Sequence, residues 1–402
     1  MKVLMLTPMV PSERAASAGP IVMYDEVAAV ASRHDVTLAT LTTGDDADAV
    51  RRLGALGVRV HAVPRREVNG VRGLLQRARI GLHWRTTDLP LRTVIFREPE
   101  MQHRLDELSA TPFDVVHIVD NAMAVYRRPR ASFTVLSEHD VRVDAEDGAV
   151  DAASTATLRD AERERWQQYQ SRVWSEAGRV QVFTARDAAC VRQIAPAAAD
   201  RVYVNPFGVD VRPLASQPPG DGASLVFVGG FLHPPNVHAA RWLVTEILPL
   251  VQASHPQARL TIVGADPPDV VRALASDTVQ VTGRVTAVEP FVESATVMVA
   301  PIRAGGGMRR KVLEAMALSR PVVTTTRGAE GIWNPPAAPT LRIADDATAI
   351  ARHITALLDS PDERRALGSA AWAAVAEHHQ RAGFGDRLLA LYDSLRQPGV
   401  AA

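Results

Sequence analysis

The chain has 402 residues, with 45 Lys and Arg against 45 Asp and Glu, 47% hydrophobic residues, 22% charged residues and one cysteine. That length exceeds one ordinary domain and suits two of about 200 residues, and the apolar content excludes a disordered chain. A formal net charge of +0 argues against a nucleic-acid binder held by phosphate neutralisation, and the lone Cys190 excludes an internal disulfide and fits a reducing compartment.

Along the chain, apolar strands alternate with amphipathic helices. Met1–Pro8 holds a short apolar run ended by proline and reads as a first strand, Val3–Leu6, rather than a signal peptide. A helix over Ile21–Ala31, a strand over Val36–Leu41, a helix over Ala47–Leu56 and a strand over Val58–Val63 follow. Further strands are predicted at Asp114–Val119, Thr134–Ser137 and Arg179–Phe183, with a polar helix over 155–177 and another over Asp187–Ile194. Residues 213–222, dense in Pro and Gly, read as a linker. A second alternating set begins at Leu225, and a last helix is predicted at about Phe384–Leu395. The expected division is 1–212, a linker 213–222, 223–383, and a C-terminal helix in 384–402. The fold class is α/β, with two Rossmann-like doubly wound parallel-sheet domains facing a cleft and ligands at the carboxyl ends of the strands. No apolar run reaches the roughly 18 residues of a membrane span, so the expected location is cytoplasmic.

One segment carries most of the functional information. Val297–Ile302 reads as a buried strand, Gly305, Gly306 and Gly307 as a turn, Leu313, Met316 and Ala317 as one face of a helix, and Pro321–Thr326 as a second buried strand. A glycine turn between strand and helix lets backbone N–H groups approach an anion, and the helix dipole favours negative charge there. Arg309, Arg310 and Lys311 open that helix, where cations are unfavourable unless an anion faces them; this suggests a phosphate or diphosphate. The chain contains only two lysines, Lys2 and Lys311, and at a phosphate Lys gives a compact charge where Arg gives a planar fork. A solvated surface cation is the alternative reading of Lys311. Glu314 lies about one turn deeper on the same face, suited to a ribose diol, or to nothing more than an i,i+3 ion pair.

The run Gly305–Thr324 resembles the donor-site signature of GT-B glycosyltransferases, specifically the retaining group called family 4, or glycosyl transferases group 1. Val226–Trp242, Leu260–Gly264, Val279–Val285 and Arg201–Asp210 resemble further family elements in the expected order. Two departures stand out. The family pattern often carries two glutamates eight residues apart, and counting back from Glu314 reaches Gly306. The loop after the Val226 strand often supplies Arg and Lys to the diphosphate, whereas Gly229–Asn236 contains neither. Diphosphate neutralisation then falls on Lys311 with Arg309 or Arg310.

The resemblance implies a glycosyltransferase that moves a sugar from a nucleoside diphosphate sugar to an acceptor, with retention, without a metal and with no cofactor beyond that co-substrate. His139, just past the Thr134–Ser137 strand, would face the donor sugar; a solvated loop histidine is the alternative. His117, inside its strand, reads as a packed residue. Met308 and Gly229 join the donor-binding set. Gly19, in the long loop after the first strand, would approach the donor phosphates, Arg284 the base, and Glu330 the sugar or ribose, each also explicable as an ordinary loop or surface residue. Residues 64–97 hold eight arginines against Glu67 and Asp88, which reads as a solvated basic face, or as a site for an anionic acceptor or the inner membrane face. The acceptor stays open between a saccharide, a lipid-linked glycan and a small natural product. Two rival functions are a nucleotide-sugar epimerase on the same fold and a non-catalytic nucleotide-sugar-binding subunit. No Gly-x-Gly-x-x-Gly follows the first strand, which disfavours a dinucleotide dehydrogenase.

Overall fold

Among the described residues of the computed structural model, thirteen strands, every sheet pairing of them parallel, form two sheets. The structure describes residues 1–15, 17–66, 70–139, 141, 156–213 and 222–395. The expected linker at 213–222 falls, from 214 to 221, outside the described residues. The chain divides into two compact units, Met1–Asn205 with Gly385–Ala402, and Pro206–Phe384.

In the first unit the chain runs β1 (Lys2–Thr7), α1 (Ala18–Ala31), β2 (Asp35–Thr42), α2 (Ala47–Ala55), β3 (Arg59–Pro64), α3 (Gly70–Thr86), α4 (Leu91–Ile95), α5 (Pro99–Leu108), β4 (Phe113–Val119), β5 (Ala131–Ser137), α6 (Ala156–Glu176), β6 (Arg179–Val182), α7 (Ala185–Ile194) and β7 (Val202–Val204). The sheet order is β3-β2-β1-β4-β5-β6-β7. Parallel strands covered on both faces must be apolar on both, and β1 shows this directly. Leu4 and Leu6 join one core with Ile118, Leu136 and Trp174, while Val3 and Met5 join the other with Val27, Leu388 and Tyr392. The last two of these belong to the final helix.

The second unit runs β8 (Ser224–Val228), α8 (Pro234–Trp242), α9 (Leu248–Gln252), β9 (Arg259–Val263), α10 (Asp269–Arg272), β10 (Val279–Gly283), α11 (Glu289–Ser294), β11 (Val297–Ala300), α12 (Arg310–Ala317), β12 (Val322–Thr324), β13 (Arg342–Ile343), α13 (Ala347–Asp359) and α14 (Pro361–His378). Helix α15 (Arg381–Ser394) begins in this unit and passes into the first at Gly385. The sheet order β10-β9-β8-β11-β12-β13 reverses direction between β8 and β11, which pair in parallel through Val297 with Leu225 and Met298 with Val226. A crevice opens beyond the carboxyl ends of two strands at such a switch point. The loops leaving β8 and β11 are the ones that flank it. Among the described residues no helix is long and apolar enough to cross a membrane.

Candidate donor site

The glycine turn after β11 is shaped by its backbone. Gly305 and Gly307 have φ of +86° and +76°, the left-handed region that costs a residue with a Cβ about 1–2 kcal/mol. Gly306, where the family pattern often has a carboxylate, is not among the positive-φ glycines. The missing carboxylate is therefore not dictated by a left-handed backbone. The turn delivers the chain into α12, whose first N–H groups point back along the axis without intrahelical partners, as at any helix start.

The three cations at this helix end have different fates. The guanidinium of Arg309, 9% exposed, donates to the carbonyls of Gly305 at 2.7 Å, Gly307 at 3.0 Å, Ala304 at 3.3 Å and Gly306. Arg309 thus closes the turn on itself. Arg310, 8% exposed, donates from Nε to Glu314 Oε1 at 2.8 Å and from Nη1 to the Gly208 carbonyl at 3.5 Å. The sequence expectation that either arginine neutralises a diphosphate meets a physical obstacle: both forks are committed within the protein. Lys311 differs. Its Nζ donates to the amide oxygen of Asn236 at 2.6 Å and lies 4.9 Å from the Phe227 ring centroid. Burial pushes the Lys311 ammonium down to about 7; Arg309 repels it further and Glu314 partly counters. A cation held against a neutral oxygen, partly buried beside a glycine turn, is stabilised by an arriving anion.

The remaining residues of the second unit sort by geometry. Glu314 keeps a 44% exposed side chain while paired with Arg310, so its carboxylate remains reachable from solvent. Met308 is buried, 7% exposed as a whole residue. Gly229, just past β8, lies against Asn236, whose Cγ would stand 2.8 Å from an added Cβ. Arg284, after β10, is 61% exposed and paired with Asp266 at 3.1 Å. Glu330, 9% exposed at its side chain, lies 3.7 Å from Arg327 in the loop after β12. Among the described residues, no group of three or more His, Cys, Asp or Glu side chains is placed to hold a metal ion.

Asn236 is the residue that sequence reasoning passed over. At 7% exposed, it accepts from Lys311 and donates from Nδ2 to the Gly230 carbonyl at 2.7 Å. Where the family pattern has cations, this segment contributes a neutral amide. Its signal was the Pro-Pro-Asn opening of α8.

In the first unit, His139 follows β5 and its Nε2 meets Glu26 Oε2 of α1 at 3.0 Å, with Phe183 edge-on at 4.9 Å. Glu26 also accepts from Gln181 at 2.7 Å. Burial alone would raise the Glu26 carboxyl, but His139, His117 and the Ser137 hydroxyl outweigh it and hold it below its ordinary value. His117 is fully buried between Tyr392 and Ser137, each at 2.8 Å, and burial drops it to about 4, so it is a neutral packed residue. Gly19 corrects an expectation: α1 begins at Ala18, so Gly19 lies in the first helical turn and not in a loop, and an added Cβ would meet open space. Asp120, unremarked in the sequence, ends β4 at φ +80° and is ion-paired with Arg92.

Comparisons with known proteins agree with this architecture. Residues 222–360 match the family described as glycosyl transferases group 1. Among solved structures, sucrose-phosphate synthase from Thermosynechococcus elongatus is 16% identical at a TM-score of 0.71, covering 98% of each chain. Anabaena HepE in complex with UDP and glucose is 14% identical at 0.65, over 98% of this chain and 100% of that one. TarM is 11% identical at 0.67, over 98% of each. Identities this low carry the fold alone, and that fold is GT-B, with two Rossmann-like domains. No curated protein matches in sequence.

Proposed function

We propose, from the premise that this chain is a GT-B glycosyltransferase with a group 1 domain, that it moves a sugar from a nucleoside diphosphate sugar to a saccharide acceptor. The observation that carries the reading is Lys311, a lone lysine held beside the glycine turn by a neutral amide with its ammonium destabilised by burial. A leaving diphosphate gains negative charge as the glycosidic bond breaks. An ammonium already in place, with the amides of the glycine turn and of the start of α12, stabilises that charge more in the transition state than in the ground state.

Glu314 binds the ribose hydroxyls through its exposed carboxylate. Gly305 and Gly307 shape the turn, Met308 contributes its amide, and Arg309 holds the loop. Arg310 orients Glu314. His139, set by Glu26, serves the transferred sugar, with Glu330 beside sugar or ribose, Arg284 at the base, and Gly229 at a close approach to phosphate. The departing diphosphate needs no metal where these groups meet its charge, and transfer proceeds with retention by front-face departure and attack. Support for the donor class comes from HepE in complex with UDP-glucose. Support for a saccharide acceptor comes from a mutant of S. aureus TarM in complex with fondaparinux, alpha-GlcNAc-glycerol and UDP.

The test is a thermal-shift panel with UDP-, GDP- and dTDP-sugars on the wild type and Lys311→Ala. A ligand at 100 times its Kd adds about 2.7 kcal/mol. A shift with one nucleotide class, lost in Lys311→Ala, supports the reading and names the base; no shift with any of them removes it.

A further inference from the structure

The segment from β8 into α8, Gly229–Asn236, has no Arg or Lys to offer a diphosphate, yet it is built around one polar side chain. Asn236 uses both ends of its amide. Its Oδ1 accepts from Lys311 Nζ at 2.6 Å, and its Nδ2 donates to the Gly230 carbonyl at 2.7 Å. Its own backbone N–H donates to the His233 carbonyl at 3.0 Å. The fit is close on every side. A Cβ on Gly229 would stand 2.8 Å from Asn236 Cγ, and a Cβ on Gly264 would collide with the Gly229 carbonyl at 1.8 Å. Pro235, beside Asn236 at the start of α8, would stand 3.4 Å from a Cβ on Gly305. One side chain therefore links the starts of α8 and α12, the helices that follow the two strands at the switch point.

We infer that Asn236 is the positioning residue of the donor site, fixing the direction of the Lys311 ammonium toward the diphosphate while leaving its charge uncompensated; this rests on the donor-site reading above. An ammonium has three protons. Asn236 takes one and so sets where the other two point. A carboxylate at this position would hold the ammonium more strongly but would cancel the charge the diphosphate needs and repel the phosphates. An amide is the strongest neutral acceptor available. The charged groups around Lys311 are Arg309 at the cap of α12, Arg310 and Glu314 on α12, and Glu289 at the start of α11, which acts on Glu314. His233 faces the turn from the β8–α8 loop, and the Phe227 ring closes the β8 side.

The chain's two lysines make the test direct. Lysine side chains carrying a ¹³C label give two signals, and Lys311 is assigned by its loss in Lys311→Ala. Titrated by NMR, wild-type Lys311 has a midpoint at about 7, and the Asn236 side-chain amide follows the same midpoint. Asn236→Asp raises the Lys311 midpoint by about 1–3 units and weakens UDP-glucose binding at neutral pH by about tenfold or more, the steric change being small. An unmoved midpoint in folded Asn236→Asp overturns the inference, as does a wild-type Asn236 amide insensitive to Lys311 titration, a readout that needs no variant at that position. If the midpoint moves as expected but UDP-, GDP- and dTDP-glucose all leave the wild-type Lys311 signal unchanged, the donor-site reading fails while the Asn236–Lys311 contact stands.

Discussion

Binding of a sugar nucleotide to this site takes up a proton, and the pH dependence of affinity follows from Lys311. Its ammonium titrates at about 7 in the free protein because burial and Arg309 disfavour the charge. Pairing with a diphosphate favours the charged form and returns the group to its ordinary range, near 10.4. The sign follows: above the free-state value the lysine is neutral until ligand arrives, so each unit of pH costs affinity, and below it the curve is flat. Between about pH 7 and pH 9 the two protonation equilibria give about a 50-fold loss of affinity, or about 2 kcal/mol. Near pH 8, binding takes up about 0.9 proton. Calorimetry with UDP-glucose in two buffers of different ionisation enthalpy reads both quantities, and the intact sugar nucleotide avoids the titrating terminal phosphate of UDP. Lys311→Met serves as the reference and gives a weaker, flat profile. Equal slopes in wild type and variant, or no proton uptake, would refute the reasoning.

Three further outcomes follow from the same geometry. Gly307→Ala places a Cβ at φ +76°, costs about 1–2 kcal/mol of stability and weakens donor binding, measured by denaturant melts and titration calorimetry. Arg309→Met removes the hydrogen bonds to four turn carbonyls and destabilises the second unit by about 1–3 kcal/mol, with lower donor affinity but a steeper part of the pH profile moved upward, since a repelling neighbour of Lys311 is gone. If the arginines of 64–97 meet a membrane, anionic vesicles sediment the protein at low salt and release it at high salt; failure to sediment removes that role.

The strands were legible because parallel strands covered on both faces are written as continuous apolar runs: Val3–Leu6 and Val36–Leu41 fall inside observed strands, while the run Val297–Ile302 extends two residues past the end of β11 at Ala300. Strands β7 and β13, of three and two residues, are too short to leave such a run. The glycine turn was legible from composition, since left-handed backbone selects glycine. The division of labour among Arg309, Arg310 and Lys311 was not, because it depends on which way each long side chain folds. Arg309 turns back on carbonyls of its own loop, a contact with no sequence period. Asn236 and Lys311 lie 75 positions apart, and only the β8–β11 pairing brings their loops together. Gly19 misled because a glycine before a helix looks like a loop residue until the helix start is known.

The most direct test of the central claim is the rate of nucleoside diphosphate release from a sugar nucleotide, with and without saccharide acceptors, in wild type and Lys311→Ala. The account predicts acceptor-stimulated release in the wild type and a turnover about 10²–10³ lower in a folded Lys311→Ala. Turnover in Lys311→Ala within a few-fold of the wild type would contradict it.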